Sequence, residues 1–211
     1  MDIAELPLVG GHPALDLVNT VERRAPAAAG EPRDHLADPP ALLGWARRVG
    51  VVDDGEARAV ADSWERDPGS AQATLAAVRE VREALHVALL AAMGVEPSGA
   101  GALERLRERW AAALARSRLT LEPGRASMAR LVVGTAPATL IADRAAAGAV
   151  EMLCGAELAR LRRCPPDAGG CGWVFLDRSR NGSRRWCRMA DCGTTVKARR
   201  LTERRRAARA G

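Results

Sequence analysis

The sequence predicts a mainly α protein: a helical N-terminal domain with one small β-hairpin, then a compact C-terminal module of a β-hairpin and a basic helix. Three observations predict it. Alanine fills much of the 47% apolar quota, with no tyrosine and one phenylalanine, a composition that favours closely packed helices. Apolar residues recur at helical spacing in five segments between residues 38 and 160. Beyond that point the character changes, and cysteine and arginine crowd together. A chain of 211 residues accommodates one medium domain, expected over 1–160, and a small module over 161–211.

The opening LPLVGGHPALDLVNT is expected to be a short strand or an extended lead into a helix, because Pro7, Gly10, Gly11 and Pro13 forbid a helix before Ala14. APAAAGEPRDHLADPP then reads as an exposed loop. Asp38 with Pro39 and Pro40 marks a helix start, Leu42, Leu43, Trp45, Ala46 and Val49 supply its apolar face, and Gly50 ends it. Asp53 or Asp54 caps the next helix, with Ala57, Val60, Ala61 and Trp64 on one side. Asp67-Pro68 opens a longer one, whose Leu75, Val78, Leu85 and Leu89 repeat at helical spacing up to Gly94. Ser98 starts a fourth, with Leu103, Leu106, Trp110 and Leu114 as core candidates. Leu119 and Leu121, then Leu131 to Val133, are strand-like runs around Pro123-Gly124, so a hairpin is expected. A fifth helix is expected from Pro137 to Arg160, with Cys154 on its apolar side as a small core residue.

In the C-terminal module, Trp173 to Leu176 is a strand-forming run and Asn181-Gly182 a two-residue turn signal. A return strand over Arg184 to Trp186 is therefore expected, then a basic helix from Val196 to Ala210.

Net charge is +6, unevenly spread. From Arg160 onward, 15 basic residues face 4 acidic ones, a balance of +11; residues 1–159 carry 17 against 22, a balance of −5. A basic module on a mildly acidic body suits a polyanion partner. The N-terminus lacks a basic region followed by an apolar core, and no apolar run is long enough for a membrane span. A cytoplasmic protein without membrane attachment is expected, in a reducing compartment where clustered cysteines serve as metal ligands.

Those cysteines are Cys164, Cys171, Cys187 and Cys192, spaced C-x6-C-x15-C-x4-C. Two close pairs separated by a longer stretch fold around one tetrahedral ion, and four thiolates leave it no open position, so one structural zinc is expected. With the last cysteine at a helix start, the order of elements suggests a treble-clef-like module. Trp173, Phe175, Trp186 and Val196 form too small an apolar cluster to hold it unaided.

CGWVFLD (171–177), SRNGSRRWC (179–187) and Met189 to Gly193, followed by Lys197, Arg199 and Arg200, resemble the CGNR zinc-finger family. GGHPALDLVNT (10–20) is similar to the G-x-x-x-L-D-x-x-N-T opening of the ABATE domain that precedes this finger in its relatives. The resemblance implies a transcription regulator with the finger as DNA-binding element. The family's Asn-Arg after the last cysteine is here Thr194-Thr195, which implies one basic contact fewer.

The expected nucleic-acid-binding residues are Arg178, Arg180, Arg184, Arg185 and Arg188 on the hairpin, and Lys197, Arg199, Arg200 and Arg204 on the helix. At about 100° per residue these surround the helix, which suits phosphate contact more than a base-reading edge. DNA is the expected partner; RNA or an acidic protein are the alternatives, and the Ala-rich helices offer a face for a homodimer. His12, Asp16 and Asn19 are polar residues in an apolar stretch and converge on a ligand or on backbone groups that fix the chain start; we favour the second. His12, His35 and His86 lie in no catalytic motif, and there is no P-loop or G-x-S-x-G, so no enzyme is expected.

Overall fold

The structure, a computed structural model, describes residues 3–22, 24, 32–121 and 129–210, without the side chains of Arg200, Arg204, Ala207, Arg209 and Ala210. It is mainly helical, with three two-stranded antiparallel sheets among the described residues. The expected turn at Pro123-Gly124 lies outside them, as does the stretch 25–31 of the expected loop.

The chain forms two compact units, and their division differs from a cut in sequence near residue 160. One unit holds Met1–Leu6 and His35–Leu158; the other holds Pro7–Asp34 together with Ala159–Gly211.

The first unit is built from α2 (Pro39–Arg48), α3 (Asp54–Arg66), α4 (Pro68–Ala92), α5 (Ala100–Ala115) and α6 (Leu140–Cys154). Local chemistry sets the helix starts. The Asp38 carboxylate accepts from Ala41 N at 2.8 Å ahead of Pro39. Asp53 and Glu56 form a reciprocal capping box at 2.8 and 3.0 Å. Asp67 accepts from Gly69 N and Ser70 N ahead of Pro68. At the end of α4, Gly94 has a φ of 70°, and Val95 N donates to Leu90 O at 2.9 Å, closing the last carbonyls. α4 packs against α5 and α6, which also pack on each other, and α2 and α3 pack on α4. Leu42, Trp45, Val60, Val78, Leu85, Leu89, Leu106 and Ile141 are fully buried. The Ala138 carbonyl accepts from both Thr74 Oγ1 and Trp64 Nε1, tying the start of α6 to α3 and α4.

The hairpin β3 (Arg118–Leu121) and β4 (Ala129–Val132) forms as expected, pairing Leu119 with Leu131. Three expectations for this unit are corrected. Leu103 and Leu114 are exposed, because α5 turns the narrow row Ala102, Leu106 and Ala113 inward, and small residues let the helices approach. The fifth helix ends at Cys154, where Gly155 leaves helical backbone with ψ 147°. Cys154 is consequently exposed at that end. No helix of the described residues is long and apolar enough to cross a membrane.

The second unit comprises α1 (Pro13–Val18), the short ribbon β1 (Val21–Glu22) with β2 (Arg33–Asp34), the hairpin β5 (Leu161–Arg163) with β6 (Val174–Leu176), and α7 (Thr194–Ala210). The opening segment is thus helical from Pro13, which occupies the first turn where a missing N–H costs nothing. His12 Nδ1 accepts from Ala14 N at 3.1 Å as its cap. The β1–β2 ribbon was not expected.

The largest departure is the partner of β6. The expected return strand at Arg184 to Trp186 is not a strand; β6 pairs with β5, in the register Leu161 to Leu176 and Arg163 to Val174. Asp177 explains why. Its buried carboxylate accepts from Ser179 N, Ser179 Oγ and Arg184 N, curling 177–184 into a closed loop. The same contacts, Ser179 first, hold its carboxyl below the usual aspartate range.

Candidate metal centre and basic surface

β5 delivers Cys164, whose N–H donates to Trp173 O at 2.8 Å and whose carbonyl accepts from Gly172 N. The six residues between Cys164 and Cys171 close as a wide turn, with Gly169 N bonded to Pro166 O and Gly170 N to Pro165 O. Only glycine fits at position 170, since a Cβ there would lie 2.6 Å from the Cys164 sulfur. The loop after β6 delivers Cys187. A single π-helical turn, Met189–Gly193, presents Cys192 directly ahead of α7. The Thr194 hydroxyl donates to Met189 O at 3.0 Å and braces that turn.

All four sulfurs lie within 4.8 Å of one another. Cys171 and Cys187 are 3.4 Å apart and Cys187 and Cys192 3.7 Å. A disulfide needs about 2.05 Å. A tetrahedral zinc with Zn–S of about 2.3 Å needs sulfur–sulfur edges of about 3.8 Å. The residues therefore fit one structural zinc, held by Cys164, Cys171, Cys187 and Cys192. Hydrogen bonds from Cys171, then Cys187 and Cys192, push the Cys164 thiol down, while contact with Cys164 first of all pushes Cys171 and Cys187 up. A bound divalent cation would hold all four as thiolates.

The expected basic residues divide into two groups. Arg178 and Arg180 are exposed in the 177–184 loop, and Arg185 is exposed with its guanidinium 5.2 Å from the Trp186 ring centre. Arg188 is exposed and paired with Asp191 at 3.6 Å. Lys197 and Arg199 are exposed on α7; Arg199 pairs with Glu203 and donates to Ala168 O at 3.3 Å. The backbone of Arg200 and Arg204 lies in α7, and their side chains are outside the described set.

Arg184 is different. It is half-buried, and its guanidinium donates to the carbonyls of Trp186, Cys187 and Val9 while lying over the Phe175 ring. It stitches the cysteine loop to the rest of the unit rather than facing outward. Arg162 and Arg163 lie on β5, and the Arg162 guanidinium donates to the Ala159 and Leu161 carbonyls.

The N-terminal polar residues Asp16 and Asn19 bond backbone groups. Asp16 Oδ1 accepts from Gly10 N at 2.8 Å, and the Asn19 amide bonds both backbone groups of Val174. In the helical unit, a groove of about 410 Å³ between α2 and α3 is lined by Leu43, Arg47, Asp54, Ala57, Arg58 and Ala61, with Arg47 and Asp54 paired across it at 2.6 Å.

A four-thiolate centre seated in a hairpin and followed by a basic helix, in one chain with a five-helix unit, defines a zinc-finger protein. The chain belongs to the ABATE family, described as "Putative stress-induced transcription regulator", whose model matches residues 11–156, and its C-terminal part matches the CGNR zinc finger over residues 160–205. No curated protein matches it.

Proposed function

We propose that this protein is a zinc-dependent, DNA-binding transcription regulator. The observation that carries the reading is the joining of a four-sulfur cluster, all within 4.8 Å, to exposed Arg178, Arg180, Arg185, Arg188, Lys197 and Arg199. Cys164, Cys171, Cys187 and Cys192 would hold the zinc, which would supply no reaction but would join two loops to the start of α7. Guanidinium forks on that frame match phosphate oxygens, and α7, basic around its circumference, suits backbone contact more than base reading. Arg200 and Arg204 add two further cations to the sequence of α7. The helical unit serves as sensor or dimerisation element, and the working protein sits in the cytoplasm on the nucleoid.

The test is competition. Zinc-loaded protein on a labelled random duplex is challenged with a structured RNA and with polyglutamate, in moderate salt. Retention of the duplex supports the reading. Displacement by RNA at lower concentration than unlabelled duplex would transfer the function to RNA; displacement by polyglutamate would transfer it to acidic proteins.

A further inference from the structure

In the motif Gly10 to Thr20 the polar residues Asp16, Asn19 and Thr20 are buried. Asp16 and Thr20 bond within the motif, but the partner of Asn19 lies 155 residues away in the chain. β6 explains this. On one edge it is paired to β5, with Cys164 N donating to Trp173 O and Asp177 N to Arg160 O. On its other edge, Leu176 N donates to Gly10 O at 2.9 Å. Val174 N donates to Asn19 Oδ1 at 3.0 Å, and Val174 O accepts from Asn19 Nδ2 at 2.8 Å. One amide side chain thus stands in for a neighbouring strand, satisfying a donor and an acceptor that no other strand among the described residues reaches. Two further anchors flank it: Trp173 Nε1 donates to Val21 O at 3.0 Å, and Arg184 reaches Val9 O.

Gly10 is fitted to its place, since a Cβ there would meet Leu15 Cβ at 2.7 Å. Thr20 Oγ1 closes the end of α1 on Leu17 O at 2.7 Å.

We propose that residues 9–21 are a strap completing the zinc module, and that Asn19 is a positioning residue for the metal centre. It acts through Val174, three residues after Cys171, by holding β6 and with it the Cys164–Cys171 turn. The finger is therefore not self-sufficient as residues 161–211, and metal occupancy and order of the strap are coupled. The proposal rests on the zinc assignment but not on DNA binding.

Two measurements on the full chain test it. First, bound zinc is quantified, then stripped from unaltered protein with a chelator while amide hydrogen exchange is followed. Exchange in α1 and at Leu176 is expected to rise at least about tenfold, with α4 unchanged; α1 protection held at the zinc-loaded level would overturn the proposal. Second, zinc release to a chromophoric chelator is timed for Asn19→Ala and for Asp38→Ala, which removes a cap in the helical unit. Release about tenfold faster in the first alone is expected, the lower end of what outer-shell partners contribute. Equal acceleration in both, or in neither, would refute a positioning role. Failure of the zinc assignment would show separately, as no metal in the first quantification.

Discussion

The Arg184 guanidinium lies 4.2 Å from the centre of the Phe175 ring, with its N–H groups on the Trp186 and Cys187 carbonyls. The contact converts a residue of an arginine-rich run into an internal brace. Arg184→Ala should lower the stability of the C-terminal unit by about 2–3 kcal/mol, from lost charge-assisted hydrogen bonds and ring contact. Arg184→Lys should recover little, because one ammonium cannot span the carbonyls. Denaturant titration followed at Trp173 and Trp186 checks this. Arg180→Ala, on an exposed residue, should leave that transition in place and weaken DNA binding.

Metal content is the most direct check of the cysteine cluster. Freshly purified protein should carry one zinc per chain, and Cys187→Ser well under half. Zinc–thiolate binding is worth roughly 10–16 kcal/mol in small modules at neutral pH. Removal should therefore erase the dispersed amide signals of Trp173 and Trp186 while Trp45 and Trp64 keep theirs. A serine variant with full zinc would remove Cys187 from the ligand set.

Salt separates phosphate contact from other modes. If six of the exposed basic residues neutralise phosphates, log K against log salt should have a slope of about −5. Replacing Lys197 by alanine should reduce the slope by about one. A flat response would show that counterion release plays no part.

Acid should weaken the helical unit through Glu56. The Arg144 side chain, bonded to Glu56 at 2.5 and 2.6 Å, is the first cause that holds this carboxyl below the usual glutamate value. A carboxyl depressed on folding adds stability that is present above the unfolded value, about 4.3, and lost as pH falls through the folded one. Glu56→Gln should flatten the stability profile below about pH 5. It should also cost about 1–2 kcal/mol at pH 7, since the capping box and the ion pair weaken together. An unchanged acid limb in thermal unfolding would show that the pair contributes nothing.

Much of this protein was legible in its sequence because the deciding interactions are local. Asp38 with Pro39, Asp53 with Glu56, Asp67 with Pro68, and Gly50 and Gly94 each act within one turn, so the starts and ends of α2, α3 and α4 follow from neighbouring residues. The four-cysteine spacing likewise states its own chemistry. Less legible was which face of α5 turns inward, since leucine and alanine both suit a helix and only the packing of α4 and α6 selects Ala102, Leu106 and Ala113.

The sequence by itself determined the helical class, the metal ligands and the concentration of positive charge, because each depends on residue type and short spacing. Tertiary structure alone decided which strand β6 pairs with, that Arg184 turns inward, and that Asn19 closes the free edge of Val174. Those outcomes depend on backbone donors and acceptors with no residue signature, and the Asn19 contact joins groups about 155 positions apart, where no local periodicity can announce it.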